Sequence, residues 1–206
     1  MTYTQLASKE TVEKVIQNLK ENGISGELVE TKADAKTKVL SMIPKGSEVM
    51  TMTSVTLTQS GIEEEINTSG KYTSVKQKLQ KMNRETDSRE MQKIGAAPEW
   101  AIGSVHAITE NGHVLIASNT GSQLPAYVYG AEHVIWVVST KKIVKDVEDG
   151  MNRISEYILP LESARARKAY GLPEDWHSNI SKLLIVNKEV KSGRIHIILV
   201  NEDLGF

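Results

Sequence analysis

Two short polar runs hold the residue types best suited to chemistry. The first is Thr51-Met52-Thr53-Ser54, with Thr56 just beyond. It closes an apolar run and precedes a helical pattern from Leu57. Hydroxyls at the carboxyl end of a strand, with the N–H groups that open the next helix, can hold a phosphate or a carboxylate. The same hydroxyls also serve as ordinary N-caps, Ser54 or Thr56 for that helix, and both uses can coexist. The second run is Ser118-Asn119-Thr120-Gly121-Ser122-Gln123, followed by Leu124-Pro125. It is longer and more polar than a cap requires, and Gly121 lets a ligand approach the backbone closely. Thr51, Thr53, Ser54, Ser118, Asn119, Thr120, Gly121, Ser122 and Gln123 are therefore the expected ligand-binding residues. The expected ligand is a small organic acid or a phosphate-bearing molecule. Neither run has the Gly-Lys-Ser/Thr ending of a P-loop, and no GxGxxG supports a dinucleotide.

One carboxylate ahead of the second run is the first candidate for catalysis. Glu110 opens Glu110-Asn111-Gly112, a hairpin-type turn between the apolar runs Ala101–Thr109 and His113–Ser118. A turn carboxylate is ordinarily just solvated; directed into a pocket, Glu110 would be a catalytic nucleophile or base. His106 and His113 flank the turn and read as cross-strand surface histidines. A His–His–Glu110 metal site is conceivable, but no HxH or HExxH spacing supports it, so no metal site is assigned. Arg165, Arg167 and Lys168, with Arg153 nearby, read as a solvated basic helix face that a partner could use. Trp136 reads as core packing.

Composition narrows the classes. The chain has 206 residues, 25 basic and 26 acidic side chains and no cysteine. That length supports one sizeable α/β domain spanning residues 1–206. A net charge of −1 offers no global basic field for nucleic acid. Without cysteine there is no thiolate nucleophile and no Cys-ligated zinc or intrinsic iron–sulfur cluster. No other cofactor is indicated. No signal peptide or membrane-length apolar run is evident, so the expectation is a cytoplasmic protein.

The elements that must position these residues follow from periodicity. Helices are expected over Ser8–Glu21, Thr31–Ile43, Leu57–Asn67 (with Gly61 tolerated), much of Lys76–Gly95, Pro125–Gly130, Lys145–Leu159 and, after an interruption at Pro160, Glu162–Tyr170. The charged stretch Lys76–Gly95 is expected on the surface as a lid or interface. Strands are expected over Ile24–Val29, Ser47–Thr53, Tyr72–Val75, Val134–Val138, Ser181–Val186 and Arg194–Val200, the last two as a hairpin. Val134–Val138 is apolar on both faces, as a central parallel strand is. The alternation implies an α/β fold, largely parallel, with antiparallel hairpins.

The segment from Gly103, GSVHAITENGHVLIASNTGSQLPAYVYGAEHVIWVVSTKKIVKD, resembles the LUD domain family, named for lactate utilization. The final KLLIVNKEVKSGRIHIILVNEDLGF resembles the closing strands of its free-standing members. The resemblance implies a Rossmann-like three-layer α/β/α fold of the NagB/RpiA/CoA-transferase-like group. It also implies a role, accessory or catalytic, in using L-lactate or a related 2-hydroxy acid, with iron–sulfur partner proteins supplying the redox centres. A homodimer is compatible with it. Thr109-Glu110-Asn111-Gly112 is similar to the Ser-Glu-Asn-Gly turn that carries the catalytic Glu of class I CoA-transferases. That likeness opens an alternative: a small-molecule or nucleotide-binding enzyme of the transferase or 5-formyltetrahydrofolate cyclo-ligase type. A third possibility is a non-catalytic interaction module.

Overall fold

The computed structural model describes residues 3–206. In chain order its elements are α1 (Lys9–Glu21), β1 (Ser25–Val29), α2 (Lys32–Met42), β2 (Glu48–Thr51), α3 (Val55–Gln59), α4 (Ile62–Thr68), β3 (Thr73–Ser74), α5 (Val75–Gln80), α6 (Ser88–Ala96), β4 (Trp100–Gly103), β5 (Ala107–Thr109), β6 (Val114–Ser118), β7 (His133–Ser139), β8 (Ile143–Val144), α7 (Val147–Asn152), α8 (Leu159–Tyr170), β9 (Lys182–Val186) and β10 (Ile195–Val200). Helix starts coincide with side chains that satisfy orphan N–H groups. Ser8 caps α1 by accepting from the Thr11 N–H at 3.2 Å, and Thr31 with Asp34 forms a reciprocal capping box on α2.

Six strands form one parallel sheet in the order β1-β10-β7-β4-β2-β3. β7 lies inside it, and its residues alternate between two cores. Val134, Trp136 and Val138 face Val12, Val15 and Leu19 of α1 in one cluster. Ile135 and Val137 face Ala35, Val39, Leu57, Ile62 and Ile66 in the other. Each such buried aliphatic side chain contributes about 1.5–3 kcal/mol, so the apolar strand must be central. The result is a Rossmann-like layering, helices on both sides of a parallel sheet.

A second sheet, in the order β8-β5-β6-β9, packs on the α1 side. Val114 and Ile116 of β6 point into the α1 core, while Leu115 and Ala117 point outward against Ile154 and Ile158.

Several expected boundaries move, each for a local reason. The run Ala101–Thr109 is two strands: β4 joins the parallel sheet and only β5 pairs with β6 across Asn111-Gly112. β9 and β10 are no hairpin, for they belong to different sheets. Gly61 is left-handed at φ +67° and divides the expected Leu57–Asn67 helix into α3 and α4. Lys76–Gly95 forms α5 and α6 rather than one rod. Pro160 does not interrupt: a π-helical turn, Arg153–Ile158, leads straight into α8, with the proline in its first turn, where no N–H is needed. Among the described residues, no helix is long and apolar enough to cross a membrane.

Candidate functional site

The carboxyl ends of β2 and β4 and the segment after β7 open onto one crevice of about 1180 Å³. Both polar runs line it, Thr51–Thr56 on one wall and Ala117–Gln123 on another, so residues 67 positions apart from Thr51 to Ser118 meet. The small sheet brings the second wall in, because the end of β6, Ala117 and Ser118, lines the crevice together with Ser104 and Val105, which follow β4. A third wall comes from α5, α6 and the loop between them, including Lys76, Leu79, Arg84 and Arg89, which places the charged stretch against the crevice. Residues of α8, including Glu162 and Arg165, complete the rim.

The expected ligand residues differ in how free they are. Thr51 is fully buried, and its hydroxyl is shared with Asn67 at 2.9 Å and 3.2 Å. Ser54 Oγ caps α3, accepting from the Leu57 N–H at 3.4 Å. Thr53 is exposed at the crevice edge. In the second run, Ser118 Oγ accepts from the Gly121 N–H at 2.8 Å and donates to Gln123 Oε1 at 2.9 Å. Thr120 and Ser122 hydroxyls face each other at 3.1 Å, and Asn119 Oδ1 accepts from Ser181 at 3.2 Å. Much of this loop's hydrogen bonding is internal, and the Lys182 side chain lies over Gly121.

Glu110 lies elsewhere. Its carboxylate pairs with Lys14 Nζ at 2.8 Å, its carbonyl accepts from Asn18 at 2.8 Å, and the neighbouring Asn111 carbonyl accepts from Asn22 at 2.9 Å. The Glu-Asn-Gly turn is thus docked on α1, and Glu110 does not line the crevice. No His–His–Glu cluster forms either: among the described residues, no group of three or more His, Asp or Glu could hold a metal ion.

The crevice floor holds groups that the sequence reading did not assign. Lys142 is 3% exposed, and its ammonium donates to Thr56 Oγ1 at 3.2 Å, Ser104 Oγ at 3.1 Å and the Val105 carbonyl at 3.2 Å. Burial, then the charges of Arg153 and Lys141, push this amine well below its ordinary 10.5. His106 is a wall residue and not a surface histidine. Its Nδ1 accepts the Ala117 N–H at 3.2 Å, which puts the ring proton on Nε2. Burial, then Lys142 and Arg153, lower it from 6.5 to about 3, so the imidazole is neutral at physiological pH.

Arg153 corrects the solvated-face reading. It is 0% exposed, donates to the His106 carbonyl at 2.5 Å and lies over the rings of Tyr3 and Tyr157. Its Nε and Nη2 have no partner among the described residues. One signal was available in the sequence: Thr140-Lys141-Lys142 directly follows the most apolar strand, at the end where open α/β sheets bind ligands.

Comparison with known proteins agrees with this architecture. The LUD domain family model matches residues 12–200. A search of curated proteins found no match. Among solved structures, the chain is similar to a duf162 family protein from Deinococcus radiodurans, with a TM-score of 0.57, 11% identity, and coverage of 96% of this chain and 100% of that one. At that identity the likeness shows the fold. The family match spans the parallel sheet, the small sheet and every crevice-lining residue except Phe206, and the chain belongs to the LUD domain family.

Proposed function

We propose that the crevice binds a small carboxylate, a 2-hydroxy acid such as L-lactate or the matching 2-oxo acid. One observation carries this reading: five cationic side chains, Lys76, Arg84, Arg89, Lys93 and Arg165, and the amine of Lys142 line the crevice against a single carboxylate, Glu162. Glu162 is itself spent on Arg165, through two bonds of 2.7 Å. Lys76 and Lys93 are partnered by Glu63 and Glu90. Arg84 and Arg89 have no carboxylate partner among the described residues, in a chain whose net charge is only −1. A low-dielectric crevice focuses such an excess on an anion. The hydroxyls of the two runs then fit the hydroxyl or carbonyl beside the carboxylate. With no cysteine in the chain, electrons from an oxidised hydroxy acid would pass to iron–sulfur partner proteins in the cytoplasm.

Titration calorimetry tests the reading with L-lactate, pyruvate and the uncharged amide of lactate. Both acids bind, the amide does not, and added salt weakens the acids. Equal binding of the amide, or no binding of either acid, refutes it.

Size favours a second reading. The crevice, at about 1180 Å³, is larger than a three-carbon acid requires and exceeds the about 300–1,000 Å³ of pockets that hold drug-sized ligands. A nucleotide or acyl-CoA with its phosphates against Arg84 and Arg89 would fill more of it. Such a transferase-like or ligase-like activity would proceed without Glu110. A thermal-shift screen of ATP and acyl-CoAs separates the two, since a ligand at 100 times its Kd adds about 2.7 kcal/mol.

A further inference from the structure

The crevice floor presents a primary amine whose surroundings suit both of its protonation states. The polar atoms bonded to Lys142 Nζ are two hydroxyls and one carbonyl, with no carboxylate among them. The charged and titratable groups around it are Lys141, Arg153 and His106. Lys141 is occupied by Asp203 and by the Gly205 carbonyl at 2.6 Å, and Arg153 is held by the His106 carbonyl. A carboxylate at this distance would hold a proton on the amine. Thr56 and Ser104 do not, because a hydroxyl accepts from an ammonium and donates equally well to the lone pair of a neutral amine. The Val105 carbonyl needs a donor in either state, and a neutral amine still has two.

We propose that Lys142 is a nucleophile that forms an imine with the carbonyl of a 2-oxo acid in the crevice. This rests on the crevice being an organic-acid site. The cationic walls select a carboxylate and the amine selects a carbonyl; an acid with an adjacent carbonyl satisfies both. In the step, the Nζ lone pair attacks the carbonyl carbon and the C–N bond forms as the carbonyl π pair moves to oxygen. That oxygen takes the proton the nitrogen loses. The resulting hydroxyl then leaves as water with the second nitrogen proton, and the C=N bond closes. No oxidant or reductant is consumed.

Desolvation and neighbouring cations are what keep a lysine unprotonated for such attack. His106 lines the same crevice with its proton on Nε2, which has no protein partner among the described residues, and a neutral imidazole N–H is a donor suited to a carbonyl oxygen gaining charge.

The test uses the full chain, pyruvate and cyanoborohydride near neutral pH, followed by peptide mapping by mass spectrometry. The expected result is a carboxyethyl group on Lys142, labelled ahead of exposed lysines such as Lys9, whose side chain is 84% exposed. The preferential label disappears in K142R, whose fold is checked by circular dichroism; the wild-type map stands without that variant. Absence of the adduct from Lys142, or labelling no greater than at Lys9, overturns the proposal. Calorimetry with L-lactate, which has no carbonyl, separates the two levels. Lactate binding without trapping at Lys142 removes the imine and leaves the acid site standing. No binding of either acid removes both.

Discussion

Replacing Lys142 by Met should stabilise the protein while weakening its capture of acids. The depressed pKa shows that the charge is disfavoured there, since the folded surroundings favour the charged amine less than water does. The three hydrogen bonds to Thr56, Ser104 and Val105 therefore do not offset desolvation and the repulsion of Arg153 and Lys141. Methionine keeps the unbranched stem and discards the charge. Replacing buried charges by apolar groups of like volume is worth about 1–4 kcal/mol. The Val105 carbonyl loses a donor, which costs about 1–3 kcal/mol unless crevice water replaces it, so the net gain lies towards the lower end. For a chain of 206 residues each kcal/mol moves Tm by about 2–4 °C.

The pH dependence supplies an internal control. A lysine lowered in the native state is a liability fully present below its folded pKa. The liability fades as pH rises towards 10.5, where the unfolded chain also loses its proton. The stability difference between K142M and wild type should therefore shrink with rising pH, by at most about 1.4 kcal/mol per pH unit, and level off near 10.5. Urea titrations from pH 7 to 10.5 measure it. A K142M protein that is less stable, with a difference that does not vary with pH, would refute the reasoning, because the ammonium would then be fully satisfied.

Further expectations follow from other contacts. In H106N the acid limb should flatten: native His106 resists protonation to about 3 while the unfolded chain takes it up at 6.5, so wild type loses stability as pH falls between those values, by up to about 1.4 kcal/mol per unit. Acid titration of both proteins by circular dichroism reads the difference. A Cβ at Gly103 would stand 1.8 Å from the Tyr127 hydroxyl and 3.0 Å from its ring carbon. G103A should cost about 1–3 kcal/mol in thermal melts, and Y127F should recover part of that. E110Q removes only the Lys14 ion pair, with the carboxylate about one-third exposed. Stability should change by about 0–1 kcal/mol, with acid binding by calorimetry unchanged; lost binding would return Glu110 to the site.

What the sequence determined by itself was local or periodic. Apolar residues on both faces of Val134–Val138 required a strand buried on both sides, and Ser8, Thr31 and Ser54 marked helix starts because their hydroxyls satisfy the first N–H groups within a few residues. The two polar runs were legible for the same reason, since each follows a strand and precedes a helical turn. Tertiary structure decided what depends on partners distant in the chain. The apolar run from Ala101 to Thr109 reads as one strand, and the available neighbours, β2 and β7 for one half, β6 and β8 for the other, divide it. Glu110 precedes the second polar run by only eight residues, yet the hairpin turns it onto α1. Arg153 has the residue type of a solvated face, yet it is buried against Tyr3, Tyr157 and the His106 carbonyl. Lys142 became the centre of the site because Thr56, Ser104 and Val105 converge on one amine from two other strand ends, a coincidence in space that no local pattern encodes.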